Sequence, residues 1–326
     1  MMTMAMARRM RKPVSQRVPA RLARWRLHLH LHLASRLLML LLLSRIASTQ
    51  EALEGTLMFL HVWKCGGTSM RKLLCSWAER ENLPCATVAT CKTLSLQEKK
   101  ICLVNQKVIF PEVQGVFIAE QRVIAGHFRW GFQFYAAEPH LLITTLRNPL
   151  ELYVSGQQYL NRDATRTLES AAMYVINDMR KSLGRSHPSG FLHRFVGRSV
   201  ITSQDVREAT VEGAANMKTF MLVGVVEQYV GFVSVLRVLV DPSDKHAEMW
   251  NSHIEKRLNA SPVDSTNVLA EIDPELVDEF NSTLSYQWLV YGHAVRLFKE
   301  RCREVLPQYL HLERCSVPNP PDVYAA

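Results

Sequence analysis

Residues 56–77 hold the pattern that most constrains the fold, a short apolar run followed by a glycine-containing turn and an amphipathic segment. The run at 56–62 is mostly apolar, which is typical of a strand buried on both faces of a parallel sheet. From residue 70 onward the apolar side chains recur at helical spacing. They are Met70, Leu73, Leu74 and Trp77. The sequence therefore predicts a strand, a tight turn and a helix, the repeating unit of α/β proteins.

The turn between them, KCGGTS at 64–69, has the composition of an anion-binding loop. Backbone N–H groups at a helix N-terminus attract anions, and glycines let an anion approach the backbone closely. Lys64 adds a point charge, and Thr68 and Ser69 are expected to cap the helix and to donate hydroxyl groups. Lys64 precedes the glycines, whereas the lysine of nucleotide kinases follows them, which argues against an ordinary ATP or GTP hydrolase. Such turns also occur in α/β proteins that bind no phosphate, so this loop alone does not decide the function.

A second strand-to-helix junction follows at 141–160. The segment LLITTL at 141–146 predicts another buried strand, and Arg147 follows it directly. Pro149 suits the first turn of a helix, and that helix would carry Ser155. A guanidinium fork with a hydroxyl group can clamp a terminal phosphate. The simpler alternative is an exposed arginine and a serine on a helix surface.

A third candidate is His127, which follows the apolar run 123–125 and Gly126. A strand that stops there places the histidine at the sheet edge where open α/β proteins bind ligands. Aromatic residues come next in the chain, and a lone histidine beside aromatic residues is more often structural than catalytic. Both roles stay open on the residues alone.

The two phosphate motifs resemble those of the Golgi carbohydrate sulfotransferases, a family that includes the heparan and dermatan uronyl 2-O-sulfotransferases. The first family motif, F-x-H-x-x-K-x-G-G-T-S, is matched at every specified position. The matching residues are Phe59, His61, Lys64, Gly66, Gly67, Thr68 and Ser69. The second, R-x-P-x-x-x-x-x-S-x-x-x-Y, is matched by Arg147, Pro149, Ser155 and Tyr159. Asn148 and Tyr153 depart from the residues that the family usually has there.

The resemblance implies a P-loop-like α/β sulfotransferase fold, with a central parallel sheet flanked by helices in a single catalytic domain at 56–315. It implies 3′-phosphoadenosine 5′-phosphosulfate as the sulfate donor, with no metal, and a glycan as the acceptor. The residues implied to bind this nucleotide are Lys64, Cys65, Gly66, Gly67, Thr68, Ser69, Arg147 and Ser155. Lys64 and His127 are implied to be catalytic, with His127 as the base, whereas His61 is expected to be structural.

Two other functions stay open. A kinase-like P-loop transferase would bind ATP with magnesium, and an inactive, membrane-tethered relative would bind a glycan without transferring sulfate. The sequence has no His/Cys cluster at zinc spacing and no carboxylate set for magnesium. Glu227 is expected to line the cleft, to cap a helix or to form a salt bridge.

The net charge of +9 comes from the amino-terminal segment. Ten of the 39 basic residues lie in 1–50, which has no acidic residue, and this leaves 29 basic against 30 acidic side chains in the remainder. That composition argues against nucleic-acid binding. A near-neutral domain also does not favour a broad basic groove for long glycosaminoglycans, although Arg194, Arg198 and Arg207 are candidates for a local patch.

Residues 27–47 are predicted to be a signal-anchor transmembrane helix, although they include three histidines and Arg36. The excess of arginine before them places a basic tail at 1–26 in the cytoplasm and the catalytic domain in the Golgi lumen, as a single-pass type II protein. Residues 48–55 would form a short stem. A cleaved signal peptide and an organellar transit peptide are the alternatives.

Cysteine usage is compatible with a lumenal domain. Six cysteines could form up to three disulfides, with Cys65 left over as the odd thiol in the loop. The six are Cys75, Cys85, Cys91, Cys102, Cys302 and Cys315. Asn259 and Asn281 stand in acceptor sequons for N-glycosylation.

The remaining elements follow from periodicity. Helices are predicted at 167–184 and 276–303, and the resemblance implies a strand leading into a helix at 221–232. Loops are predicted at 82–106, with short helical pieces, and at 241–273. Residues 316–326 are expected to form a loose tail.

Overall fold

The computed structural model of the chain describes residues 54–90, 100–104, 107–108, 117–161, 167–183, 192–198, 203–255, 265–307 and 315. The predicted basic tail, signal-anchor and carboxyl-terminal tail lie outside these ranges. Among the helices within them, none combines the length and the apolar character that crossing a bilayer requires.

Seven strands form one sheet. They are β1 (Thr56–Leu60), β2 (Cys85–Thr90), β3 (Lys100–Val104), β4 (Lys107–Val108), β5 (Val123–Gly126), β6 (His140–Leu146) and β7 (Leu222–Val225). Their order across the sheet is β4–β3–β2–β5–β1–β6–β7. Neighbours from β3 to β7 pair in parallel, and the two-residue β4 runs antiparallel to β3 at one edge. The prediction of an α/β protein with a central parallel sheet is confirmed.

Helices flank this sheet. They are α1 (Gly67–Arg80), α2 (Pro149–Leu160), α3 (Leu168–Ser182), α4 (Leu192–Val196), α5 (Ser203–Met217), α6 (Tyr229–Val240), α7 (Ala247–Glu255), α8 (Ser265–Ala270), α9 (Pro274–Ser282) and α10 (Ser285–Val305). Helix α1 packs against β2 and β5, and α10 packs against β7 and α5. Short 3₁₀ turns occupy Phe132–Tyr135 and Val226–Gln228.

Strand β1 lies at the centre of the core. All five of its residues are buried, as are all four of β5, which agrees with the continuous apolar pattern of a parallel strand covered on both faces. The chain reaches the strands on the β5 side of β1 before it adds β6 and β7 on the other side. In open α/β sheets, ligands bind beyond the carboxyl ends of the strands at the point where the order changes in this way.

The prediction of a loop at 82–106 is wrong, because this segment contributes β2 and β3. Strand β2 reads CATVAT, so small and polar residues hide the apolar alternation that marks a strand. The strand forms through pairing with β5 on one side and β3 on the other. Strand formation depends on such neighbours more than on intrinsic propensity.

The carboxyl-terminal third also differs from the prediction. The expected loop at 241–273 contains α7 and α8, and the helix expected at 276–303 is two helices, α9 and α10, that meet at Thr283 and Leu284. The break has a local cause, because two hydroxyl side chains bond to backbone carbonyls here. Ser282 Oγ donates to the Glu279 carbonyl at 2.7 Å, and Thr283 Oγ1 donates to that of Phe280 at 2.6 Å.

Two disulfides are present among the described residues, Cys75–Cys85 and Cys302–Cys315. The first joins α1 to the start of β2, and Cys65 is a free, buried thiol, as the odd cysteine was expected to be. Cys91 lies outside the described residues, so a third bridge stays a prediction. Of the two sequons, Asn259 is likewise outside, and Asn281 Oδ1 accepts a hydrogen bond from Trp288 Nε1 at 2.5 Å.

The Cys75–Cys85 disulfide is expected to stabilise the domain by restricting its unfolded chain. Replacing both cysteines with serine should lower the free energy of unfolding by about 2–3 kcal/mol for a loop of this length. Urea unfolding of the oxidised proteins measures the difference. The exposed neighbour Ser76→Ala on the same helix should leave the midpoint unchanged, and equal stability of the double variant and the wild type would contradict the expectation.

Candidate functional site

Three adjacent strands end at the candidate site. β1 lies between β5 and β6, and Leu60 pairs with Gly126 on one side and Thr144 on the other. Because the three strands are parallel, their carboxyl ends share one edge of the sheet. His127 follows β5 directly, Arg147 follows β6 directly, and the loop with Lys64 follows β1. The three segments singled out in the sequence therefore meet at one edge.

The loop after β1 is held to β6 through Cys65. Thr145 Oγ1, on β6, donates to the Cys65 carbonyl at 2.6 Å, and the Cys65 N–H donates to the Val62 carbonyl at 3.2 Å. Lys64 and Gly66 both have left-handed backbone conformations, with φ of 61° and 71°. Burial raises the pKa of the Cys65 thiol well above its usual range. Cys65 therefore stays neutral and acts as a packing residue that carries the loop backbone, with no thiolate to act as a nucleophile.

Helix α1 begins at Gly67, three residues earlier than the sequence pattern predicts. Gly66 is its N-cap, and among the described residues no side chain caps the helix. The prediction that Thr68 or Ser69 caps α1 is wrong, because both lie inside the first helical turn. N–H groups in a first turn have no acceptor within the helix, and no acidic residue stands there to offset the helix dipole. This helix start fits a bound phosphate or sulfate group.

His61 is packed between the loop and the next strand. A Cβ atom added to Gly67 would lie 1.7 Å from the His61 ring, so only glycine fits there. On its other side the His61 ring stacks on His127, with centroids 3.9 Å apart and planes at 22°. Burial, then the neighbouring His127, and then Arg71 and Arg194 lower the pKa of His61 to about 2. His61 is thus a buried, neutral ring, a placement that agrees with the structural role expected of it.

The tautomer of His127 follows from its contact with the backbone. Its Nδ1 lies 3.1 Å from the His61 carbonyl oxygen, so Nδ1 carries the proton that it donates and Nε2 keeps its lone pair. Burial lowers the pKa of His127 to about 4, with a further contribution from Arg194. At neutral pH His127 is therefore an uncharged imidazole whose tautomer is set by the backbone.

Arginines surround the two histidines, and the sequence analysis did not connect them with this site. Arg71, on α1, and Arg194, on α4, both lower the pKa of His127. Arg194 Nη1 donates to the Phe128 carbonyl at 3.4 Å, and the Trp130 N–H donates to the Arg194 carbonyl at 2.8 Å. Burial, and then Arg129, lower the pKa of Arg194 to about 10. Only Arg71 could have been connected with the site from the sequence, because it follows the glycine turn within the predicted helix. Arg194 lies far away in the chain.

Two of the three arginines that are candidates for a local basic patch make other contacts, while Arg207 is exposed on α5. Arg194 is half-buried near His127. Arg198 is paired with three carboxylates of α5. They are those of Asp205 at 3.7 Å, Glu208 at 4.0 Å and Glu212 at 3.3 Å. These three carboxylates offset the positive charge of Arg198.

Arg147 is bound within the protein at the end of β6. Its Nη2 donates to Glu151 Oε2 at 3.0 Å and to Ser265 Oγ at 2.5 Å, and its Nε donates to the same carboxylate at 3.2 Å. Ser155, the partner of Arg147 that the sequence motif predicts, is buried on α2, the helix that also carries Glu151. Ser265, on α8, was missed because it stands in a segment with no motif. A phosphate at Arg147 would share the guanidinium with Glu151.

Glu227 supports the start of α2. Its Oε1 accepts a hydrogen bond from the Asn148 N–H at 2.6 Å, and its Oε2 accepts one from the Tyr291 hydroxyl at 3.0 Å. Burial raises the pKa of this carboxyl group. Asn148 in turn caps the helix by accepting from the N–H groups of Leu150 and Glu151. Of the roles expected for Glu227, which were lining the cleft, capping a helix or forming a salt bridge, the structure shows support of a helix cap, through the N–H of the N-cap residue Asn148. A place in the cleft stays a prediction.

Comparison with known proteins adds no relative. The chain matches no family model and no curated protein.

In the part of the chain that the structure describes, no three His, Cys, Asp or Glu side chains form a group that could hold a metal ion. A reaction without metal stays a prediction.

The contact between Gly67 and His61 leads to a double-mutant prediction. Gly67→Ala should lower the free energy of unfolding by about 1–3 kcal/mol, because the methyl group overlaps the imidazole ring. In a His61→Ala background the same change should cost little, since alanine is otherwise favourable in a helix. Urea unfolding of the four proteins measures the coupling. An equal loss in both backgrounds would show that the ring is not the obstacle.

The lowered pKa of His127 predicts acid sensitivity. Above about pH 6.5 the histidine is neutral in both the folded and the unfolded chain. As the pH falls toward 4, the unfolded chain binds a proton that the folded chain excludes, so stability decreases. Between about pH 7.5 and 5, His127→Gln should lose about 1–2 kcal/mol less unfolding free energy than the wild type. Urea unfolding at the two pH values tests this, and parallel losses would refute it.

Proposed function

We propose that this chain is a sulfotransferase with a P-loop-like fold, which moves the sulfuryl group of 3′-phosphoadenosine 5′-phosphosulfate to a hydroxyl group of a carbohydrate. The observation that carries the proposal is the meeting of two anion-binding motifs at one sheet edge. The loop 64–69 and Arg147 lie far apart in the chain, yet they follow the neighbouring strands β1 and β6. Both Lys64 and Arg147 act electrostatically on the thiol of Cys65. A ligand with phosphate groups at both ends requires such an arrangement.

The loop would hold the phosphosulfate end. The donor, when bound, supplies an activated sulfuryl group on a phosphate that leaves with negative charge. The N–H groups of residues 67–69 and the ammonium of Lys64 would stabilise this charge, and one such preorganised donor is typically worth about 10²–10³ in rate. The Lys64 ammonium lies 4.7 Å from the centre of the Tyr159 ring, and an anion in the loop would draw it from that position.

Arg147, Ser155 and Ser265 would hold the 3′-phosphate. A guanidinium with adjacent hydroxyl groups binds phosphate through charge-assisted hydrogen bonds. Glu151 accepts two hydrogen bonds from Arg147, which fixes the orientation of the guanidinium before the nucleotide arrives. The role of this end is orientation, which brings the sulfur into line with the acceptor hydroxyl.

His127 would accept the proton of the acceptor hydroxyl through Nε2, a role worth about 10²–10⁴ in rate. Burial, and secondarily Arg194 and Arg71, disfavour the protonated form of the imidazole in the free protein and lower its pKa. A bound donor brings negative charge to the same edge and would raise the pKa of His127 by offsetting those cations. Proton transfer would thereby depend on the donor being in place.

The proposed location is the Golgi membrane, with the catalytic domain in the lumen. The disulfides Cys75–Cys85 and Cys302–Cys315 support a compartment that is oxidising. The signal-anchor at 27–47 is part of the proposal, because it rests on composition alone.

Substitutions at the two ends of the nucleotide test the function. Lys64→Ala and Arg147→Ala should each reduce sulfate transfer by about 10²-fold or more, because each removes a charge that stabilises or orients the donor. His127→Ala should lower turnover while leaving nucleotide affinity near the wild-type value. Transfer of label from ³⁵S-labelled donor to a panel of glycans measures activity, and calorimetry with adenosine 3′,5′-bisphosphate measures affinity.

Exposed cations on α1 are the matched controls. Lys72→Ala and Arg80→Ala remove positive charge from the same helix away from the loop and should keep full activity. Full activity in Lys64→Ala or Arg147→Ala would refute the proposed roles. Tighter binding of ATP with magnesium than of the bisphosphate would favour a kinase-like transferase instead.

A further inference from the structure

Two partly exposed aromatic side chains stand beside the loop that carries Lys64. Trp63, the residue before this lysine, is 40% exposed, and Tyr159, near the end of α2, is 44% exposed. Their rings meet edge to face, with centroids 5.7 Å apart and planes at 85°. Large aromatic surfaces in solvent are uncommon when they are grouped and next to a cleft, and such patches mark binding sites.

The Trp63 ring is held by α2. Its indole lies against Gly156, where an added Cβ would come within 3.0 Å of the ring. The edge-to-face contact with Tyr159 holds it from the same helix. A ligand that stacks on these rings would therefore lose little additional side-chain entropy, which is how rigid aromatic residues contribute affinity.

The position of the two rings decides which ligand they would meet. In the proposed reaction the acceptor oxygen must approach within about 3–3.5 Å of the sulfur atom, which lies beside Lys64. Trp63 precedes this lysine, and in the free protein the Lys64 ammonium lies 4.7 Å from the centre of the Tyr159 ring, so the two aromatic side chains stand beside the proposed place of transfer. The 3′-phosphate end of the donor belongs with Arg147 and Ser265, whereas Trp63 lies in the loop after β1, directly before the lysine that would hold the phosphosulfate end.

We propose that Trp63, braced by Tyr159, is the surface on which a pyranose ring of the carbohydrate acceptor stacks, and this inference rests on the proposed function. The C–H groups on one face of a pyranose are apolar and pack against an aromatic ring, while the hydroxyl groups at its rim stay free to react. This mode of binding needs no basic groove. It therefore suits a domain with 29 basic and 30 acidic side chains beyond residue 50, in which α5 offsets the charge of Arg198.

Steady-state kinetics of the full-length protein test the inference. Trp63→Ala should raise the KM for the acceptor about 5- to 10-fold, in the range measured for aromatic contacts, and leave the KM for the donor unchanged. The acceptors are desulfated heparan, desulfated dermatan and N-acetyllactosamine, and whichever of them takes up label is used. Trp63→Phe should recover part of the loss, whereas Trp63→Leu, which keeps apolar volume without a ring, should not.

Phe134→Ala is the matched control. This aromatic side chain is 72% exposed, but it lies against His140, at the opposite, amino end of β6. Its removal should leave both KM values unchanged. The Trp63→Leu and Trp63→Phe variants also keep the test valid if Trp63→Ala does not fold.

The possible outcomes separate this inference from the proposed function. An acceptor KM that does not change in Trp63→Ala and Trp63→Leu, with transfer intact, overturns the stacking surface and leaves the sulfotransferase proposal standing. A raised donor KM, or a weaker affinity for adenosine 3′,5′-bisphosphate, assigns the rings to the adenine base and also overturns it. Wild-type protein that neither binds the bisphosphate nor transfers label overturns the proposed function, and the inference with it.

Discussion

The packing of the His61 ring against Gly67 is the contact on which the candidate site depends. It lets the loop after β1 fold back over its own strand, because the absent side chain at Gly67 leaves room for the imidazole. The same ring stacks on His127, and the His61 carbonyl accepts a hydrogen bond from His127 Nδ1. One residue thus links the anion loop to the candidate base. A side chain at Gly67 would therefore disturb the loop and His127 together. Gly67 and His61 are themselves buried.

Positive charge is concentrated at this edge of the sheet. Lys64, Arg71 and Arg194 contribute positive charge, and the start of α1 adds its dipole with no capping side chain among the described residues. Burial is the main cause of the low pKa of His127, and Arg194 and Arg71 lower it further. Two carboxylates oppose this positive charge at the start of α2, where Glu151 holds Arg147 and Glu227 holds the backbone of Asn148. These internal counter-charges orient the cationic groups and limit the cost of gathering them without a ligand.

Local sequence patterns predicted best those elements whose own residues form a continuous apolar run. The strands at 56–60 and 140–146 and the helix at 149–160 were predicted closely, since continuous apolar runs and Pro149 mark them directly. The β2 and β3 strands were missed because their residues become strand only through pairing with neighbours. The helical start at Gly67 was missed for a related reason. A left-handed Gly66 begins the helix there, and hydroxyl residues that look like caps lie inside it.

The sequence alone determined the α/β class, the two strand-turn-helix junctions and the residue types at each, because periodicity and turn chemistry are local properties. The tertiary structure decided that β1 lies between β5 and β6, and this order places Lys64, His127 and Arg147 at one edge. It also decided which partners reach them, with Arg194 beside His127 and Ser265 on the Arg147 guanidinium. Such contacts join residues about 70 to 120 positions apart. They follow from how the strands pair and the helices pack, and no local pattern of residues encodes that.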